Sequence, residues 1–255
     1  MKKRAQVTFF IIIGIIIFVV IFSFIFLYPK NEIIKPSSKK NIDPYKIIRE
    51  CIEKEINNKT SIFSERGLYF EPENFIVYKN KTIAYHCYTE EYNTICERND
   101  AQSKKRIENL LEKEFKQKIE DCFSELKSKN KNLIFDYGQT YFSLELKPEI
   151  LFLKIRKPMT ITYDENNKFS FEMFDFNIKS RLYGFIEISN DIINEEVSCD
   201  CPQEECDINF EVFHLKYPDY KISIVKGIEG EKIYNIKDYE NKSNLYFAVR
   251  NCVKK

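Results

Sequence analysis

The chain lacks tryptophan and has only six glycines and two histidines among its 255 residues. Such a low glycine content leaves little for loops that cradle phosphates, and no Walker A or dinucleotide-binding glycine pattern occurs. The motifs G-x-S-x-G and H-E-x-x-H are also absent, which excludes the hydrolases that they mark. We therefore predict no catalytic residue, no cofactor and no metal ligand. An extracytoplasmic enzyme that uses carboxylates is a remaining alternative, because such pairs meet only in the folded chain.

An excess of charge of one sign is missing too, since 40 Lys and Arg residues stand against 39 Asp and Glu residues. A nucleic-acid-binding protein needs a concentrated basic face, so no nucleic-acid partner is predicted. Aromatic residues make up 15% of the chain, as 22 Phe and 16 Tyr. This apolar content predicts a folded domain with a sizeable core and argues against disorder.

The most prominent feature that is present is one apolar run, from Phe9 to Tyr28, which carries no charge. As a helix, these residues would extend about 30 Å, which matches the hydrocarbon core of a bilayer. A secretory signal peptide would have a shorter apolar region followed by a small-x-small cleavage site, and here Pro29 and Lys30 follow. A buried core helix is the other alternative, but nothing downstream is suited to enclose it. We predict a single transmembrane helix over residues 9–28.

The predicted span divides the chain into four segments. Residues 1–8 form a cytoplasmic amino terminus, and residues 29–42 form a polar linker in which Pro29 and Pro36 interrupt any continuing helix. Residues 43–255 form one extracytoplasmic domain, with a candidate sub-boundary near residues 198–206. The lipid bilayer is therefore a predicted partner through residues 9–28.

All the cysteines follow the predicted span, and their number is even: Cys51, Cys87, Cys96, Cys122, Cys199, Cys201, Cys206 and Cys252. Cysteines confined to one side of a membrane indicate disulfides in an oxidising compartment. Zinc binding is the alternative, but the Cys-x-Cys-x4-Cys cluster that begins at Cys199 fits no strong zinc template. Basic residues flank the span on both sides, so the cysteines decide the orientation, and they place the C-terminal domain outside.

Three pairings are predicted from the positions of these cysteines. Cys51 and Cys122 each lie on the apolar stripe of an amphipathic helix, so both point inward when the helices pack. Cys87 and Cys96 bracket a polar loop, and Cys252 is expected to join the cluster at residues 199–206. Each inward-facing cysteine is alternatively a small buried apolar residue without a bond.

Hydrophobic periodicity predicts an α+β domain, an antiparallel β-sheet packed with amphipathic helices on one face. Helices are predicted from Pro44 to about Asn57, from Ala101 to Lys129 and from Arg181 to Val197. The charged face of the second helix is interpreted as solvated. Strands are predicted at 75–78, 82–85, 140–146, 151–155, 159–163, 169–178, 209–215, 220–225, 232–236 and 244–252. The strands of the last fifty residues either form a second small sheet or extend the first. A change of phase predicts a β-bulge between Met173 and Phe174.

The opening MKKRAQVTFFIIIG resembles the start of archaeal type IV pilin-like precursors. In such precursors a basic leader meets a Gln and then the hydrophobic helix, which implies a processing junction between Ala5 and Gln6 and a leader of residues 1–5. The chain departs from the pattern at Phe10, where these pilins usually carry Glu. The arrangement of span, linker and outer α+β domain also looks like that of archaeal single-pass surface proteins of uncharacterised function.

The predicted function is that of a membrane-anchored cell-surface protein with a binding or structural outer domain and an unidentified protein or envelope partner. The alternatives are a pilin-like subunit or adhesin processed between Ala5 and Gln6, and the carboxylate enzyme. Three Asn-x-Ser/Thr sequons, at Asn58, Asn80 and Asn241, are candidate glycosylation sites if the domain lies outside.

Overall fold

The structure is a computed structural model that describes residues 42–99, 103–164, 167–198, 201, 208–228, 230–240 and 243–253. The chain divides into two units, residues 1–43 and residues 44–255. The predicted leader and span, and the linker up to residue 41, lie outside the described residues. Most of the candidate sub-boundary at 198–206 does so as well. Within the described ranges, no helix is long and apolar enough to cross a membrane.

The described chain contains four helices: α1 (Pro44–Glu65), α2 (Lys104–Lys129), α3 (Leu182–Val197) and α4 (Phe210–Lys216). Helix α1 is eight residues longer than predicted, because its apolar stripe continues through Ile56 to the fully buried Phe63. Helix α2 begins after Ser103, whose hydroxyl oxygen accepts a hydrogen bond from the backbone N–H of Arg106.

The ten described strands are β1 (Phe75–Tyr78), β2 (Lys81–Tyr88), β3 (Glu97–Arg98), β4 (Ile134–Tyr137), β5 (Tyr141–Lys147), β6 (Ile150–Asp164), β7 (Asn167–Lys179), β8 (Tyr220–Lys226), β9 (Glu231–Asp238) and β10 (Asn244–Arg250). Together with the helices and disulfides, they confirm the predicted α+β class. The predicted antiparallel pairing is confirmed only in part, because the strands form two sheets and one of them is mixed. The last three strands belong to a different sheet from β5, β6 and β7, which is one of the two predicted arrangements.

The first sheet has the order β1-β2-β10-β9-β8, and β3 pairs with β2 beside β1. All its pairs are antiparallel except β2 with β10, which run parallel. The prediction of a strand at residues 209–215 was wrong, because most of this segment is helix α4. Asn209 determines the difference, since its side-chain oxygen accepts hydrogen bonds from the N–H groups of Glu211 and Val212 and so caps a helix.

The second sheet is the predicted antiparallel meander. Strand β7 pairs along one edge of β6, while β4 and β5 pair in succession along the other edge. The predicted β-bulge lies nearby but on the other strand. The register between β6 and β7 shifts between Arg156 and Met159, so that Lys157 and Pro158 lie opposite Glu172. Lys157 lies in phase with the buried residues of β6, and its Nζ lies 2.8 Å from Glu120 Oε2.

The charged side of α2 is not simply solvated, which corrects the interpretation from sequence. Glu108 and Glu112 accept hydrogen bonds from the backbone N–H groups of Leu146 and Leu144, each at 2.9 Å. The two carboxylates can reach these two N–H groups together because their spacings agree: four residues along a helix and two residues along a strand each span about 6 to 7 Å. The two carboxylates thus provide hydrogen-bond acceptors for backbone N–H groups on the outer edge of β5, and they hold α2 against the second sheet.

Candidate functional site

Three disulfides join the described cysteines in the predicted manner. Cys51 and Cys122 are bonded with their Cα atoms 5.8 Å apart and link α1 to α2. Cys87 is bonded to Cys96, and Cys201 is bonded to Cys252. The disulfides account for all six described cysteines, while Cys199 and Cys206 lie outside the described residues. Cys201 is therefore committed to a disulfide and is not a zinc ligand.

His86, next to Cys87, is completely buried against Phe247, with ring centroids 4.6 Å apart. Its Nε2 lies 2.8 Å from the carbonyl oxygen of Gly67, which can only accept, so Nε2 carries the proton. Burial lowers the pKa of His86 to about 4, and the nearby charges of Arg106 and Arg98 act in the same direction. His86 is thus a neutral core residue.

A cleft of about 700 Å³ lies beside α2, and its volume is within the range of about 300–1,000 Å³ that is usual for ligand sites. One wall is the loop at residues 69–74, which connects α1 to β1. The opposite wall is the N-terminal half of α2. The floor is formed by Tyr85 and Asn99. Tyr85 lies on β2 between the part that pairs with β1 and the part that pairs with β3, and Asn99 directly follows β3.

The loop wall is positioned by contacts at both of its ends. Phe70 packs on Phe63 at the end of α1, with ring centroids 4.7 Å apart. The guanidinium of Arg106 on α2 lies 4.1 Å from the centre of the Tyr69 ring, a cation–π contact across the cleft. At the other end, the carbonyl oxygen of Asn74 accepts a hydrogen bond from the N–H of Tyr85. The loop is therefore held between a helix end and a strand edge.

The two walls carry opposite charges. Glu71 and Glu73 project from the loop, both exposed and without an ion pair among the described residues. Arg106 and Lys113 line the α2 wall, and Glu114 on that wall is ion-paired with Lys59 of α1. Aromatic rings between polar rims resemble the composition of protein interaction sites. Both loop carboxylates are exposed rather than buried, and walls of opposite charge suit the binding of a charged partner.

A second cavity of about 400 Å³ lies where the two sheets meet, around Arg181. The side chain of Arg181 is 5% exposed and contacts Glu149 at 3.0 Å, Asp238 at 3.5 Å and Glu240 at 2.8 Å. Its charge is therefore committed to joining the β5–β6 turn to the end of β9. This cavity is structural, and the cleft beside α2 is the better candidate site.

The other residues predicted from sequence are placed as follows. Asn58 is exposed on α1 and Asn80 is exposed in the turn between β1 and β2, while Ala5, Gln6 and Asn241 lie outside the described residues. No group of three or more His, Cys, Asp or Glu residues in the described ranges is arranged to hold a metal ion. The cleft loop was missed from sequence, although its pattern Y-F-E-P-E-N combines aromatic and unpaired acidic residues.

Comparison with known proteins finds no matching family model, no similar curated protein and no similar solved structure.

Proposed function

We propose that this chain is a membrane-anchored cell-surface protein whose outer domain, residues 43–255, binds a protein or envelope partner through the cleft beside α2. The pairing of all six described cysteines is the observation that carries the proposal. Disulfides persist in oxidising compartments and are rare where thiols are kept reduced. The apolar run at residues 9–28 supplies the anchor, and the domain follows it in the chain.

The position of the cleft supports a role in binding. The chain enters the domain at Pro44, the first residue of α1, and the cleft wall contacts α1 through the ion pair between Lys59 and Glu114. The fifteen helical steps from Pro44 to Lys59 place this contact about 22 Å along α1 from the point of entry. The cleft therefore lies well away from the end of α1 at which the chain enters the domain.

Protease added to intact cells is expected to degrade the outer domain and leave the span. The cleavage follows from placing residues 43–255 outside the membrane. Immunoblotting with antibodies against the domain measures it, the purified chain serves as a positive control for cleavage, and a cytoplasmic protein serves as a control for lysis. A domain that resists protease on intact cells but is degraded after lysis would reverse the orientation and remove the proposal.

The double substitution Glu71→Lys and Glu73→Lys is expected to weaken binding of the full chain, in detergent, to envelopes from cells that lack it. Reversing the charge of the loop wall places like charges against Arg106 and Lys113 and removes the negative charge that a partner would contact. The expected loss of affinity is about tenfold, which corresponds to about 1.4 kcal/mol. Saturable sedimentation with the envelopes is the measurement.

The matched control for this variant is Glu195→Lys with Glu211→Lys, which makes the same change in net charge at exposed positions that do not line the cleft. Equal affinities of the two double variants would show that charge alone determines the binding. In that case the cleft is not the partner site.

A further inference from the structure

The chain contains the same tripeptide, Asn-Lys-Thr, at residues 58–60 and again at residues 80–82. As sequence, the two sequons are equivalent acceptors for an N-linked glycan. The structure gives them different conformations, and both acceptor side chains are exposed. The third sequon, at Asn241, lies outside the described residues.

The first tripeptide is part of helix α1. Successive helical residues are rotated by about 100°, so Asn58 and Thr60 point to different sides. The Thr60 hydroxyl donates a hydrogen bond to the carbonyl oxygen of Ile56 at 2.8 Å. Lys59 between them is ion-paired with Glu114 on α2. The Cys51–Cys122 bond attaches the same helix to α2, so the tripeptide is held helical.

The second tripeptide begins in the two-residue turn of the β1–β2 hairpin. Lys79 and Asn80 have φ angles of 50° and 62°, the left-handed conformation that Asn tolerates in such turns. The chain then continues as the extended strand β2, where Thr82 lies opposite Val77, which is 63% exposed. Neither Asn80 nor Thr82 makes a side-chain hydrogen bond among the described residues. Asn80 is exposed and Thr82 is partly exposed, and neither side chain is held by a hydrogen bond as Thr60 is.

We propose that the folded protein is N-glycosylated at Asn80 and not at Asn58. In the transfer, Asn80 Nδ2 forms a bond to the anomeric carbon of a lipid-linked oligosaccharide phosphate. The bond between that carbon and the phosphate oxygen breaks, the lipid phosphate leaves, and the amide proton passes to a base of the transferase. Glycosylation in the living cell rests on the proposed location of the domain outside the cytoplasm. The selectivity between the two asparagines rests on their conformations alone.

A glycan on Asn80 would also have a structural effect on the hairpin. Among the described strands, β1 pairs only with β2, and it exposes Phe75 and Val77 at the margin of the first sheet. Such an edge is a template for unwanted strand pairing, and natural proteins protect it. A bulky hydrophilic group at the tip of this hairpin would obstruct the approach of a second strand.

The test compares the two sites in vitro with the purified full chain, a lipid-linked oligosaccharide and an oligosaccharyltransferase that accepts folded proteins. Mass spectrometry of peptides measures the occupancy of each asparagine. In the folded, disulfide-bonded chain, Asn80 is expected to exceed Asn58 by more than about tenfold, because α1 must open before Asn58 can react. After reduction and unfolding, the two identical tripeptides are expected to react alike.

Two variants refine the result. Thr82→Ser is expected to keep transfer to Asn80, while Thr82→Ala is expected to abolish it without altering the asparagine. Equal occupancy of Asn58 and Asn80 in the folded chain, or no transfer to Asn80, would overturn the proposal. This assay does not depend on topology, so its failure would leave the proposed surface location of the domain standing. Protection of the domain from protease on intact cells would instead overturn the surface location and leave the selectivity between Asn80 and Asn58 standing.

Discussion

Replacing Cys51 and Cys122 together by alanine is expected to lower the free energy of unfolding by about 4 kcal/mol. The bond joins residues 71 apart in the chain, so it removes a large loop-closure entropy from the unfolded state. Its Cα separation of 5.8 Å lies within the range of ordinary disulfides. Denaturant unfolding of the full chain in detergent, without reductant, measures the loss.

The matched control is the pair Cys87→Ala and Cys96→Ala. These residues are only nine apart, and the same entropy relation gives a smaller loss of about 3 kcal/mol. Removing the long-range bond should therefore destabilise the protein more than removing the local one. The opposite order, or intact stability without the α1–α2 bond, would mean that helix packing alone holds the domain together.

Acidification from pH 7 to pH 4 is expected to lower the free energy of unfolding of the wild type by about 3 kcal/mol more than that of His86→Gln. Burial lowers the pKa of His86 to about 4 in the folded protein, whereas an unfolded histidine titrates near 6.5. Below pH 6.5 the unfolded chain therefore binds a proton that the native chain does not. Stability decreases as the pH falls through this window.

Glutamine is the informative substitution at position 86, because its amide can still donate to the Gly67 carbonyl oxygen but does not titrate. The control is His214→Gln, at an exposed position of α4. Denaturant unfolding at a series of pH values measures both variants. If His86→Gln shows the same decrease as the wild type, carboxylates and not the buried imidazole determine the acid sensitivity.

The secondary structure was largely predictable because its signals are local. The stripe that contains Ile107, Leu111 and Phe115 identifies α2, and the alternation from Leu151 to Ile161 identifies β6. Helix α4 was missed because seven residues are too few for helical and strand periods to differ clearly. The parallel pairing of β2 with β10 has no local signal, since these strands lie more than 150 residues apart.

The candidate site was less predictable than the fold. The Cys51–Cys122 bond followed from two apolar stripes, because each stripe fixes which side of its helix faces the core. The cleft did not follow, because the loop at residues 69–74 and the residue Arg106 meet only after α2 packs beside α1. The sequence likewise predicts a solvent-exposed Glu108, because the N–H group of Leu146 that it accepts from lies on β5, far away in the chain.

The sequence by itself determined an apolar run of bilayer length, an even set of cysteines on one side of it, and an α+β domain. These conclusions depend on composition and on periods of two and 3.6 residues, which neighbouring positions specify. Only the tertiary structure decided the cleft, the strand order and the difference between the two Asn-Lys-Thr tripeptides. The physical reason is that accessibility and pairing depend on which distant segments pack together, and no short-range pattern contains that information.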